Sequence, residues 1–292
     1  MTRANDHTHT PPSGEHPPTP SPGGEGWGEG AAPRHRTSPR FLAIAVALAL
    51  IASLAIWATF APGSEHEIGC YMTSLEDRSR TQVHNVALAT RSINNTVLQP
   101  GQTFSFVKVV NTWTADRGYL KAPVSYDGEL VRSWGGGVCQ ASTTLYNAAL
   151  LAGLDIVERH RHHWPARYAP LGRDAAVAYS DIDLKFRNNL PCPVRIVGRV
   201  EGNRLIYRIL STHRTAYRVR IESQTRSVTL PSEVLQDRTT SGRGRWKLIN
   251  RGHPGFYVVT YRTFLYQSST RRQLLSEDRY PAMNRIVRIA ER

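Results

Sequence analysis

Apolar residues recur along this chain in three patterns, and each pattern predicts a different kind of element. Residues 41–60, FLAIAVALALIASLAIWATF, are twenty consecutive positions without a charge, the length an α-helix needs to cross the hydrocarbon of a bilayer. From 81 to 98 (TQVHNVALATRSINNTVL) the residues Val83, Val86, Ala87, Ala89, Ile93 and Val97 fall at roughly helical spacing and predict a helix. A second helix is expected within WGGGVCQASTTLYNAALLAG at 134–153, because Ala148, Ala149, Leu150 and Leu151 favour helix and Gly153 stands where a residue past the last turn stops one. LDIVERHRHHWP then alternates, predicting a strand beside that helix. Period two puts Ile156, Glu158, His160 and His162 on one face and Val157, Arg159, Arg161 and His163 on the other.

Residues 172–179 (GRDAAVAY) and Asp183–Phe186, leading to Arg187, Asn188 and Asn189, continue the sheet until Pro191 and Pro193 break it. Upstream, PGQTFSF at 100–106 reads as turn and strand, and 118–131 (GYLKAPVSYDGELV) as loop and strand with a tight turn at Asp127 and Gly128. The expected fold class is α+β: a small mixed domain in which a cysteine-bearing helix packs on an antiparallel sheet.

Composition adds the surroundings of that domain. Residues 1–33 hold seven prolines and six glycines with few large apolar side chains, too little surface to offset chain entropy, so 1–40 is expected to be a disordered tail. Arg34, Arg36 and Arg40 precede the apolar run and Glu65 and Glu67 follow it. The positive-inside rule therefore places the tail in the cytoplasm, an anchor at 41–61 in the cell membrane, and the C-terminal domain on the extracellular, cell-wall side. A cleaved signal peptide is the alternative, but the apolar core exceeds an ordinary signal core and no clean small-residue cleavage site follows.

The whole net charge of +14 belongs to residues 63–292, and 33 of the 37 basic residues are arginine. Such a surface attracts polyanions and pairs bidentately with carboxylates and phosphates. An outside location argues against nucleic acid and leaves membrane surface or anionic wall polymer as the expected partner.

Candidate chemistry centres on Cys139. Three glycines before it let the backbone turn sharply, so the thiol falls at a helix N-terminus, where unpaired N–H groups and the helix dipole stabilise a thiolate. Three cysteines, Cys70, Cys139 and Cys192, are an odd number for an oxidising compartment; a Cys70–Cys192 pair leaves Cys139 free, and unpaired thiols leave the matter open. There is no C-x-x-C, and the histidines at 160, 162 and 163 have no thiol near them in sequence, so neither metal nor cofactor is expected. A thiol enzyme needs a base and a group to fix the base's tautomer. In strand order, Cys139, His162 and Asp174 fill those roles, with His160 as the competing base.

Residues 68–197 resemble the VanW family, which takes its name from an accessory protein of vancomycin-resistance clusters. The resemblance is carried by PGQTFSF at 100–106, GGGVCQASTTLYNAALLAGLDIVERHRHHWPARYAPLGRDAAV at 135–177 and DLKFRNN at 183–189. Cys70 lies outside the family pattern. A VanW-like domain is thus expected over 66–212. Residues 216–290 more weakly resemble a G5-type module, through LPSEV at 230–234, RGHPGFYVVTYR at 251–262 and YPAMNRIVRIA at 280–290. That implies a β-rich C-terminal module at 213–292 of a kind associated with wall glycans.

VanW proteins are linked to L,D-transpeptidation of peptidoglycan through their cysteine. The resemblance therefore implies Cys139 as nucleophile and His162 at the histidine of E-R-x-x-H-x-W-P. It implies stem peptides of peptidoglycan as substrates, with Gly136, Gly137, Gln140, Arg187 and Asn188 assigned to substrate and oxyanion contacts. Trimming of stems by water, hydrolysis of another wall bond by the same thiol, and a non-catalytic wall-binding scaffold are the other outcomes.

Overall fold

The computed structural model describes residues 65–126, 129–178, 181–236 and 245–290. The tail, the apolar run at 41–60 and the Asp127–Gly128 turn lie outside the described residues. Among the described residues no helix is long and apolar enough to cross a membrane.

Strand β1 (His66–Ser74) leads into α1 (Arg80–Ile93). The helix starts at Ser79 with a reciprocal capping box, in which Ser79 accepts from the Gln82 N–H and Gln82 accepts from the Ser79 N–H. Its apolar stripe, Val86, Ala89 and Ile93, is fully buried, as the spacing in the sequence requires. Short strands β2 (Thr96–Leu98) and β3 (Thr103–Ser105) follow. The strand expected over PGQTFSF stops at Ser105, because Ser105 caps a one-turn helix, α2 (Phe106–Val110), and the Asp183 carboxylate accepts the Val107 N–H at 2.9 Å. A hairpin, β4 (Lys121–Tyr126) and β5 (Glu129–Trp134), brings the chain to the glycine loop.

Helix α3 (Val138–Leu151) carries Cys139 at its second position. Gly153, at φ 79°, ends it as expected, and the Gly153 and Leu154 N–H groups donate back to the Leu150 and Ala149 carbonyls. The sheet beneath is antiparallel, in the order β1, β9 (Arg204–Ser211), β8 (Val194–Glu201), β2. Helix and sheet touch at backbone distance: a Cβ added to Gly69 of β1 would lie 2.5 Å from the Ala148 carbonyl oxygen. Leu145, Ala148 and Leu150 of α3 share one core with Ile196, Tyr207 and Ile209 of the sheet.

The segment after α3 departs from the alternating pattern. Strand β6 covers only Asp155–Glu158, with a register irregularity between Ile156 and Glu158 against β7 (Lys185–Arg187). Past Glu158 the ladder is reduced to a single bridge between His160 and Ala176, and 172–178 is held by that bridge and one between Ala178 and Ile182 rather than as a strand. Where the ladder ends, the nearly buried Arg159 side chain donates to the Asp174 carbonyl.

Among the described residues the rest of the chain forms β structure, as expected for a β-rich C-terminal module. Strands β10 (Tyr217–Thr229), β13 (Gly255–Tyr266) and β14 (Thr270–Tyr280) form one antiparallel sheet. Strands β11 (Glu233–Gln236), β15 (Arg285–Ala290) and β12 (Arg245–Asn250) form another, in which β11 runs parallel to β15. The β13 strand packs on the mixed domain through Arg262, 1% exposed, whose Nη1 donates to the Leu154 carbonyl at 2.7 Å.

Candidate active site

The glycine loop positions the thiol by a left-handed turn. Gly137 is the N-cap of α3 at φ 106°, and a Cβ there would meet the Gln82 carbonyl of α1 at 2.8 Å. Only glycine satisfies both demands. The loop is tied down further by Asn85, which is fully buried and donates to the Gly136 carbonyl at 3.0 Å. Cys139 thus emerges half-buried from a rigid helix head, with its Sγ 3.4 Å from the Val177 carbonyl oxygen.

His162 reaches the thiol from the bent segment after β6. Its Nδ1 pairs with Asp174 Oδ2 at 2.6 Å, and the ring lies near enough to the Cys139 sulfur to pull the thiol's pKa down. Asp174 is 1% exposed and accepts from every side. Besides the His162 ring, the His162 backbone N–H donates to Oδ2 at 2.7 Å, Arg159 Nη2 to Oδ1 at 3.1 Å, and the Tyr280 hydroxyl to Oδ1 at 2.5 Å. The structure brings together the three residues that sequence order put in these roles.

The electrostatics follow from that geometry. Burial raises the Cys139 pKa, but the hydrogen bond and charge of His162 outweigh it, so the thiol titrates below its ordinary value. Burial lowers His162, and Asp174 and Cys139 outweigh that in turn, lifting it to about 10. Asp174 is held at about 2: burial opposes ionisation, while His162 and Arg159 favour it. The arrangement favours the thiolate–imidazolium form of the Cys139–His162 pair, backed by a carboxylate.

Sequence reasoning missed several neighbours. Tyr168 sits edge-on to His162 with ring centroids 6.4 Å apart and is kept protonated by burial. The Arg78 guanidinium lies over the Tyr168 ring at 5.0 Å, and its Nε is buried with no hydrogen-bond partner among the described residues. Arg159 was visible in the quoted E-R-x-x-H-x-W-P segment, but its partners Asp174 and Asp278 were not. Tyr280, 106 residues from Asp174, left no local signal.

Other expectations need correction. His160 does not share a face with His162, because the strand ends before both; its ring pairs with Glu158 Oε1 at 3.0 Å and stands 42% exposed. The Gln140 side chain turns to β1, donating to Thr73 Oγ1 and the Ser74 carbonyl, since one helix step rotates it away from Cys139. The tight turn also engages the Val138 and Gln140 N–H groups with the Gly135 and Gly137 carbonyls. Arg187 pairs with Asp155 at the surface, and Asn188 is fully buried, donating to the Leu98 and Cys192 carbonyls. Arg187 thus joins β7 to β6, and Asn188 ties the turn after β7 to the end of β2. Cys70 and Cys192 are unpaired, and Cys192 contacts Ser211 Oγ at 3.1 Å. A cavity of about 440 Å³ between β6 and β14, lined by Glu158, Arg159, His160, Arg161, Arg262 and Asp278 among others, shares Arg159 with the network but does not reach Cys139.

Residues 81–210 match the family model described as VanW like protein. The uncharacterized protein YoaR of Bacillus subtilis (strain 168) is 38% identical over 149 residues, covering 51% of this chain and 49% of that protein. The vancomycin B-type resistance protein VanW of Enterococcus faecalis (strain ATCC 700802 / V583) is 30% identical over 151 residues, covering 50% of this chain and 54% of that protein. The chain thus spans about half the length of these curated relatives. A solved crystal structure, HP0197-G5, aligns over 26% of this chain at 18% identity with a TM-score of 0.16, too loose a superposition to bear on the fold of residues 213–292.

Proposed function

We propose, from the premise that residues 81–210 of this chain are a VanW-like domain, that the protein is a membrane-anchored cell-wall protein acting as a cysteine L,D-transpeptidase. The observation that carries this reading is the contact chain Cys139–His162–Asp174, whose thiol is pulled below its ordinary pKa. Buried structural cysteines lack such a chain and are inert. The name of the enterococcal relative connects the same domain to glycopeptide resistance, a cell-wall phenotype.

In the proposed reaction the Cys139 thiolate attacks the carbonyl carbon of the third residue of a stem tetrapeptide. The bond to the terminal D-alanine breaks, and the His162 imidazolium gives its proton to the departing amine. A thioester and a neutral imidazole remain. The side-chain amine of a second stem attacks the thioester and yields its proton to His162, forming a 3,3 cross-link and releasing the thiolate. We assign the oxyanion contact to the Cys139 N–H, because its neighbours in the helix head already donate to carbonyls. Arg78, stacked on Tyr168 beside the site, offers a cation to the carboxylates of the acyl donor.

The anchor reading rests on the uncharged run at 41–60 and its flanking arginines. Anionic wall polymer is the partner that the positive surface of residues 63–292 favours. Muropeptide mass spectrometry after mixing the purified protein with tetrapeptide-rich sacculi tests the function. New 3,3-linked dimers that vanish with Cys139→Ala support it; trimmed stems assign a carboxypeptidase, and unchanged muropeptides favour a scaffold.

A further inference from the structure

We propose that Tyr280 and Asp278, on strand β14 of the C-terminal module, are positioning residues of the thiol site, holding Asp174 and Arg159 in place behind His162. The inference rests on the reading of Cys139 as nucleophile. The two residues lie outside the segment matched by the family model, 81–210, so the site extends beyond the domain that carries its cysteine.

The contacts are specific and buried. The Tyr280 hydroxyl accepts the Gly172 N–H at 3.1 Å and donates to Asp174 Oδ1, which fixes the direction of its proton. With Oδ1 occupied by Tyr280 and Arg159, Oδ2 is left to meet His162. Arg159 lies between two carboxylates: Nη2 on Asp174 and Nη1 on Asp278, all three side chains at most 7% exposed. Asp278 is oriented in turn by Ser276 Oγ, which donates to its Oδ2 at 2.9 Å. The closeness of the two modules here is built in, since a Cβ on Gly172 would lie 2.3 Å from Thr260 Oγ1 of β13. Alternation along β14 puts Asp278 and Tyr280 on the face toward the mixed domain while Arg279 faces outward, exposed and over the Tyr257 ring.

The two residues act on the thiol with opposite sign. The Tyr280 proton neutralises part of the Asp174 charge, and that charge opposes the Cys139 thiolate. Removing the hydroxyl leaves the carboxylate more negative near the sulfur. Asp278 neutralises part of the Arg159 charge, so removing its carboxylate makes the neighbourhood more positive.

The test is the pH profile of Cys139 alkylation by iodoacetamide in the full chain, read peptide by peptide. Tyr280→Phe is expected to move the thiol's apparent pKa up, and Asp278→Asn to move it down, each by about half a unit or roughly threefold in thiolate at fixed pH below the pKa. Arg279→Ala, next to both, should leave it unchanged. General damage would move both variants toward an ordinary thiol, so shifts of the same sign overturn the inference, as do two profiles that coincide with wild type. If Tyr280→Phe fails to fold, the sign of the Asp278→Asn shift decides alone. A wild-type thiol that titrates like a free cysteine removes the nucleophile reading itself, and the positioning role falls with it.

Discussion

His162 and Asp174 meet twice through one oxygen: the ring Nδ1 and the backbone N–H of His162 both donate to Asp174 Oδ2, at 2.6 and 2.7 Å. A carboxylate bound to both ring and backbone fixes the tautomer and leaves the ring little freedom to rotate. The other ring nitrogen is then presented to Cys139, and the consequences can be measured.

Cys139 should alkylate at neutral pH well ahead of Cys70, which burial and Glu67 push above its ordinary value. An unperturbed thiol near 8.5 is only a few per cent thiolate at pH 7. In His162→Ala the Cys139 rate should fall toward that level. Equal labelling of Cys139 and Cys70 in the native protein would mean the thiol is not activated.

Cross-linking should be lost in Cys139→Ala and fall by about 10² to 10⁴ in His162→Ala, the usual worth of general acid–base assistance. His160→Ala should keep most of it, since that ring is half-exposed on Glu158. With His162 at about 10, cross-linking should decline above that pH as the proton needed by the leaving amine is lost. A dead His160→Ala variant with an intact fold would reverse the assignment.

Acid stability should depend on Asp174. Its folded value of about 2 lies below the unfolded value near 3.9. Its contribution, on the order of 2–3 kcal/mol, is therefore present above about pH 4 and lost as pH falls through about 2. The unfolding free energies of wild type and Asp174→Asn, measured in urea from pH 6 to 2, should converge at the acid end. A gap that stays constant with pH would show that the carboxylate's charge is not what stabilises the fold.

Gly137→Ala should cost roughly 2 kcal/mol, from its positive φ and the 2.8 Å approach to the Gln82 carbonyl. For a chain of this size that lowers Tm by about 4–8 °C, and the misplaced helix head should slow Cys139 alkylation. Unchanged Tm and labelling would show that the loop tolerates a side chain.

An epitope inserted within residues 1–33 should survive protease added to wall-stripped cells, while residues 63–292 are degraded. Release of a soluble fragment beginning near Ala61 would show a cleaved signal in place of an anchor.

Local chemistry was enough to determine much of this protein. Ser79 and Gln82 start α1, the glycine at 153 stops α3, and the glycine loop puts Cys139 at a helix head, because caps and left-handed turns depend on residues only a few positions apart. His162 was legible through the family resemblance and Asp174 through its place in chain order, although neither residue stands in a strand. What tertiary structure decided is where long side chains go once the chain closes on itself. Alternation predicted a strand through His162, but Arg159 turned inward between Asp174 and Asp278, the ladder stopped at Glu158, and that bend is what separates His162 from His160. No period in the sequence encodes the partner of a buried guanidinium, nor that a tyrosine at 280 would complete the environment of an aspartate at 174. Those pairings follow from the cost of burying charge without a counter-charge, and that cost is set only when distant segments pack together.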